Sequence, residues 1–145
     1  KDKNNRLRWR CYDGKAWSDL TPAKPSSCHG VWASGPSDIY FMAGGPKHYD
    51  GKTWSTIKLP YKGPPMKVLA VWGHSRKEVV ILGTSTSMFP TKHTLWAFHL
   101  KGGVWKQYMA YQGTSTISTS YLWGSAPDNI YAVGSNGMVV QYGCH

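Results

Sequence analysis

The sequence predicts an all-β fold assembled from repeated four-stranded antiparallel sheets, and three observations carry that prediction. A block reading Tyr-Asp-Gly-x-x-Trp occurs as YDGKAW at 12–17 and YDGKTW at 49–54, with a worn copy, LKGGVW, at 100–105. A second block joins an apolar residue, Trp, a small or polar pair, a turn cluster and an apolar run ending in Gly; it occurs at 31–44, 71–83 and 122–134. The blocks alternate at regular spacing: Trp54 to Trp72 and Trp105 to Trp123 are both 18 residues apart, and Trp17 to Trp32 is 15. No segment carries the apolar period of a helix, and 16 Gly with 9 Pro in 145 residues mark frequent tight turns.

Taken in order, the elements follow from local chemistry. RLRWRC, residues 6–11, alternates strictly, which places Arg6, Arg8 and Arg10 on one strand face and Leu7, Trp9 and Cys11 on the other. Asp13-Gly14 tolerates positive φ and turns the chain, so that Trp17 opens the next strand. VWASG (31–35) is a strand, GPSD (35–38) a turn cluster, and DIYFMAG (38–44) a buried strand bounded by Gly. The next strand ends at Tyr49, Asp50-Gly51 repeats the hairpin turn, and Trp54 opens the fourth strand. VWGHS, EVVILG, LKGG and Trp105 repeat the series after 40 residues. LWGSA, NIYAVG and MVVQYG begin it again 51 residues later. The longer interval holds an insertion, TSTSMFPTKHT (84–94), expected as a loop. Four antiparallel strands per period of this length is the pattern of a β-propeller blade. The chain then divides into a partial blade at 1–28, blades at 29–68 and 69–119, and a partial blade at 120–145, all within a single domain or half-propeller. About three blades fall short of the four to eight of a closed propeller. The expectation is therefore a six-bladed ring made by a homodimer, or a place in a longer propeller chain.

The motifs themselves resemble the VWG-x4-DIYAVG and HYDG-x-x-W repeats of secreted or surface bacterial β-propellers, and are loosely similar to the Asp-box repeats of sialidase-like propellers. The resemblance covers nearly the whole chain. It implies a propeller fold in which Asp13 and Asp50 shape hairpins, and in which Asp-boxes supply no catalytic group. It implies little about function, because such folds host many activities. An extracellular or cell-surface location is the corresponding expectation.

Composition narrows the chemistry. The excess of 17 Lys and Arg over 7 Asp and Glu gives +10, with six of those bases in the first fifteen residues. Such a field favours polyanions. No apolar run approaches the ~20 residues of a membrane helix. Three cysteines, Cys11, Cys28 and Cys144, leave open one disulfide with a free thiol, an intermolecular bridge or three thiols. The six histidines contain no metal-binding spacing, and no cofactor motif occurs. Five of the seven acids (Asp13, Asp38, Asp50, Glu78, Asp128) fall in repeated turns, leaving Asp2 and Asp19, and no nucleophile motif surrounds a Ser. The expectation is that the chain is not an enzyme.

Binding remains. Trp17, Trp54 and Trp105, like Trp32, Trp72 and Trp123, occupy repeat columns and are expected in the core. The aromatics off the columns are Trp9, Phe89 and Trp96; Phe89, with Lys92 and His93 close behind, marks the insertion either as a recognition loop on a rigid scaffold or as a longer loop packing on its own blade. Arg6, Arg8 and Arg10 form a second candidate, a guanidinium row suited to phosphate, sulfate or carboxylate, or else a charged face protecting a strand edge. The leading expectation is a non-catalytic recognition module for a glycan or a protein partner. The alternatives are a basic polyanion binder, for nucleic acid or sulfated glycan, and a fragment of a sialidase-like or other propeller enzyme.

Overall fold

In the computed structural model, which describes residues 10–12, 14–19 and 28–143, each repeat of the sequence becomes an antiparallel sheet. A two-stranded ribbon pairs β1 (Arg10–Tyr12) with β2 (Trp17–Asp19). The first sheet is β3 (Gly30–Gly35), β4 (Asp38–Met42), β5 (Pro46–Tyr49) and β6 (Trp54–Thr56), in that spatial order. The second is β7 (Met66–Ser75), β8 (Glu78–Met88), β9 (Thr91–Lys101) and β10 (Val104–Gly113), and the third β11 (Thr119–Ala126), β12 (Asn129–Gly134) and β13 (Val139–Tyr142). All neighbours are antiparallel and consecutive in the chain, so every connection within a sheet joins two paired neighbours. A 3-10 turn at Ser135–Gly137 joins β12 to β13. No helix among the described residues is long and apolar enough to cross a membrane.

The repeats are alike down to their irregularities. The opening strand of each sheet carries a register shift just before its turn, between Ala33 and Gly35, Gly73 and Ser75, and Gly124 and Ala126. The side chain at the shift is put to use in two of the three sheets. Ser34 Oγ donates to Asp38 Oδ2, and Asn129 Nδ2 donates to Ser125 Oγ at 2.7 Å. A bulge of this kind bends a strand and re-aims its side chains.

The sheets stack through their opening strands, with β7 packed against β3 on one side and β11 on the other. The Trp columns explain how. The Trp32 ring lies over Gly73 so closely that a Cβ there would sit 2.6 Å from it, and the Trp72 ring lies over Gly124, where a Cβ would sit at 2.9 Å. Gly73 and Gly124, each directly after a column Trp, are thus the seats for the Trp of the sheet before. The strand period of two sends alternate residues to opposite faces. Tyr40 and Met42 consequently meet Val79, Ile81 and Phe98 between the first and second sheets. Val80, Leu82 and Leu95 meet Ile130 and Ala132 between the second and third.

Candidate functional site: the long central hairpin

The insertion at 84–94 is not a loop. It lengthens β8 and β9 to 11 residues each, against 5 and 4 in β4 and β5, and the pairing continues without a break from Glu78↔Lys101 to Met88↔Thr91. At about 3.3 Å per residue, the extra six residues carry the tip roughly 20 Å beyond the turn level of the first sheet. Thr and Ser alternate in TSTS, and one face of the extension is tied inward. Trp96 Nε1 donates to Ser85 Oγ at 2.8 Å, and Gln112 Nε2 donates to Thr94 Oγ1 at 2.9 Å. Trp96 is therefore half-buried, edge-on to Tyr61 with ring centroids 5.8 Å apart, and belongs to the packing of the second sheet.

The tip is different. Met88, the last residue of β8, is 70% exposed, and Phe89, the next residue and the first of the turn, is 95% exposed and joined to Pro90 by a cis bond. The polar groups around them are spent internally. Ser87 Oγ donates to Pro90 O at 3.1 Å, Thr91 Oγ1 donates to Met88 O at 3.2 Å, and Thr86 Oγ1 bonds His93 Nδ1 at 3.0 Å. Lys92 is exposed, and the extension holds no acid. Four of the candidate residues thus share one element, but only Phe89 and Lys92 face solvent freely; His93 and Trp96 support the hairpin.

The other candidates fare variously. Arg6 and Arg8 lie outside the described residues, as does Asp13; Arg10 is exposed, its guanidinium 5.7 Å from the centroid of Trp17. The Asp50 carboxylate accepts from Lys52 N and Thr53 N, both at 2.8 Å, while Gly51 takes φ +95°. Those two backbone donors, Thr53 first, hold its carboxyl below the usual range. Trp32, Trp54, Trp72 and Trp105 are half-buried, as a packing role demands. Trp17 and Trp123 are not core residues, being 59% and 60% exposed. Trp17 sits on a two-stranded ribbon, and Trp123 on the face of the third sheet that no described sheet covers. Cys28 is a free, exposed thiol among the described residues; the Cys11 side chain and Cys144 lie outside them.

One polar cluster escaped the sequence reading. Asp38, assigned above to an ordinary turn, is 3% exposed. Its Oδ1 lies 2.7 Å from His48 Nε2 and 3.7 Å from Arg76 Nε, an arginine of the next sheet's turn, and its Oδ2 accepts from Ser34. The Tyr40 phenol, stacked on His48 at 4.5 Å, is pushed up to about 12 by burial, then by the Asp38 charge, with Arg76 acting the other way. A buried carboxylate needs such partners, and Arg76 makes the cluster a tie between sheets. The sequence held a hint in the recurrence of an acid and a His at equivalent repeat positions, Asp38 with His48 and Glu78 with His99. Among the described residues no three His, Cys, Asp or Glu side chains gather as a metal-binding group. No family model, curated protein or solved structure matches the chain.

Proposed function

We propose that the chain is a segment of a β-propeller acting as a non-catalytic recognition module, which grips a protein partner through the tip of the β8–β9 hairpin. The observation that carries this reading is Phe89, 95% exposed at the end of a fully paired hairpin, with Met88 beside it. A rigid element that spends its hydrogen bonds to hold an aromatic ring in water is a ready anchor for a hydrophobic pocket. A glycan is the weaker fit, because sugar hydroxyls need polar partners around the stacking ring, and the hydroxyls of Ser87, Thr91 and Thr86 are already engaged. Lys92 and the absence of acids from the extension favour a pocket rimmed by carboxylates.

The propeller part of the proposal is supported by the two-, four-, four- and three-stranded sheets and by the Trp-over-Gly seating that recurs at both sheet junctions. A second copy or further repeats of a longer chain would continue the stack beyond Trp123. Light scattering behind a sizing column separates the two.

The test of the function is selection of a displayed random-peptide library on the wild-type protein, with Phe89→Ala as counter-target. Enriched peptides should be apolar with flanking acids and should lose at least about tenfold in affinity for Phe89→Ala, as an anchor residue does. Peptides that bind both proteins equally, or binders found only on a glycan array, would refute the reading.

A further inference from the structure

The two sheet junctions are built on the same plan but are not filled equally. Repeat-equivalent positions place Tyr40 and Met42, then Ile81 and Phe98, in the first junction. The second has Val80 and Leu82 facing Ala132 and Val140. Tyr has become Val, Ile has become Ala and Phe has become Val, a loss of several methylene equivalents and two rings. Interiors pack densely, and volume lost on both walls leaves a void unless the sheets collapse. They do not collapse, since Trp72 on Gly124 fixes their separation at the opening strands. The result is a cavity of about 310 Å³ between the second and third sheets, open to solvent on the side where Tyr108, Met109 and Tyr142 stand exposed.

Its walls are largely aliphatic, and His99, Tyr108 and Tyr142 come together on one side of it, the rings of His99 and Tyr108 lying 5.8 and 6.3 Å from that of Tyr142. His99 is 5% exposed. Its counterpart in the first junction, His48, is held by Asp38 at 2.7 Å. The carboxylate equivalent to Asp38 belongs to Glu78, which pairs with Lys101 at 3.8 Å instead. Tyr142 meets the His99 ring edge-on, with centroids 5.8 Å apart, and no described residue hydrogen-bonds the imidazole. A buried ring with a donor and an acceptor nitrogen and no partner is costly.

We propose that this cavity is a binding site for a neutral small molecule, an apolar body of about ten non-hydrogen atoms carrying one hydroxyl, of the alkylphenol or alkanol class, with the hydroxyl hydrogen-bonded to His99. The size follows from volume: a cavity of about 150 Å³ takes benzene, so one twice as large takes roughly twice the atoms. Neutrality follows from the surroundings. A carboxylate would lose its hydration against aliphatic walls, with no Lys or Arg among the lining residues to compensate it. Neither Phe89 nor Met88 lines the cavity, so this site and the hairpin stand or fall separately.

The test is calorimetric titration of the whole chain with 4-propylphenol, with propylbenzene and octanoate as controls. The expected result is saturable phenol binding, propylbenzene weaker by about tenfold for want of the hydrogen bond, and octanoate weaker still. Ala132→Ile and Val140→Phe, which restore the residues of the first junction, should abolish phenol binding while leaving the circular dichroism and melting temperature unchanged or raised. His99→Leu should bring phenol and propylbenzene to equal affinity. Failure of 4-propylphenol to saturate below about 10 mM, or binding undiminished by Ala132→Ile and Val140→Phe, would overturn the proposal. So would sedimentation showing that the chain self-associates and that association, rather than the phenol, closes the cavity.

Discussion

The smallest side chains in the structure set its most specific contacts. Gly73 and Gly124 are bare because a Trp ring from the neighbouring sheet occupies the space of a Cβ, 2.6 and 2.9 Å away. Gly73→Ala or Gly124→Ala should each destabilise the chain by about 1–3 kcal/mol, the usual cost of overpacking, in urea unfolding followed by Trp fluorescence. An alanine elsewhere, such as Gly35→Ala, where nothing lies within 4 Å, should cost far less. His99 supplies the pH dependence. Burial holds its imidazole below the ordinary value of 6.5, with Glu78 opposing and Lys101 assisting. Between that depressed value and 6.5 the unfolded chain binds more protons than the folded one, so stability declines as pH falls through this window and is complete above it. Unfolding free energies between about pH 5 and pH 8 should show the slope, and His99→Gln should remove it.

At the scale of the element, the β8–β9 hairpin separates what holds the fold from what it displays. Phe98, fully buried between sheets, and Phe89, almost fully exposed, are nine residues apart. Phe98→Ala should cost about 3–5 kcal/mol, while Phe89→Ala should change stability by less than about 0.5 kcal/mol, both read from chemical denaturation. The strands that carry aliphatic and aromatic alternation were legible in the sequence: DIYFM, EVVIL and NIYAV each became the second strand of a sheet. The extension was not legible. In TSTS the inward Ser85 and outward Thr86 differ in burial but not in hydrophobicity, so the period of two leaves no apolar trace. Pro90 reads as a breaker, yet it occupies the turn itself. Asp38 was missed for a related reason. As the last residue of a Gly-Pro-Ser-Asp turn it carries every surface signal, and only the approach of Arg76 from another sheet, together with His48, makes a buried site for it.

At the scale of the molecule, a short repeat has been made into a scaffold with distinct places on it. The Trp column reads alike at 32, 72 and 123, yet among the described residues only the first two rings have a seat, and the third stands 60% exposed beside exposed Tyr121 and Val133. Sequence alone assigns all three to the core, because exposure is decided by whether another sheet stacks, not by the residue or its neighbours. The whole second sheet is longer than the repeat, and its β8–β9 hairpin carries the exposed tip; recognition through that tip is the central claim. It is tested most directly by amide chemical-shift mapping of the whole chain with the highest-affinity peptide from the library selection. Shifts concentrated at 86–93 and fading into β8 and β9 are the predicted result. Largest shifts on the Trp123 face or among the turns of the first sheet, with 86–93 unmoved, would contradict it.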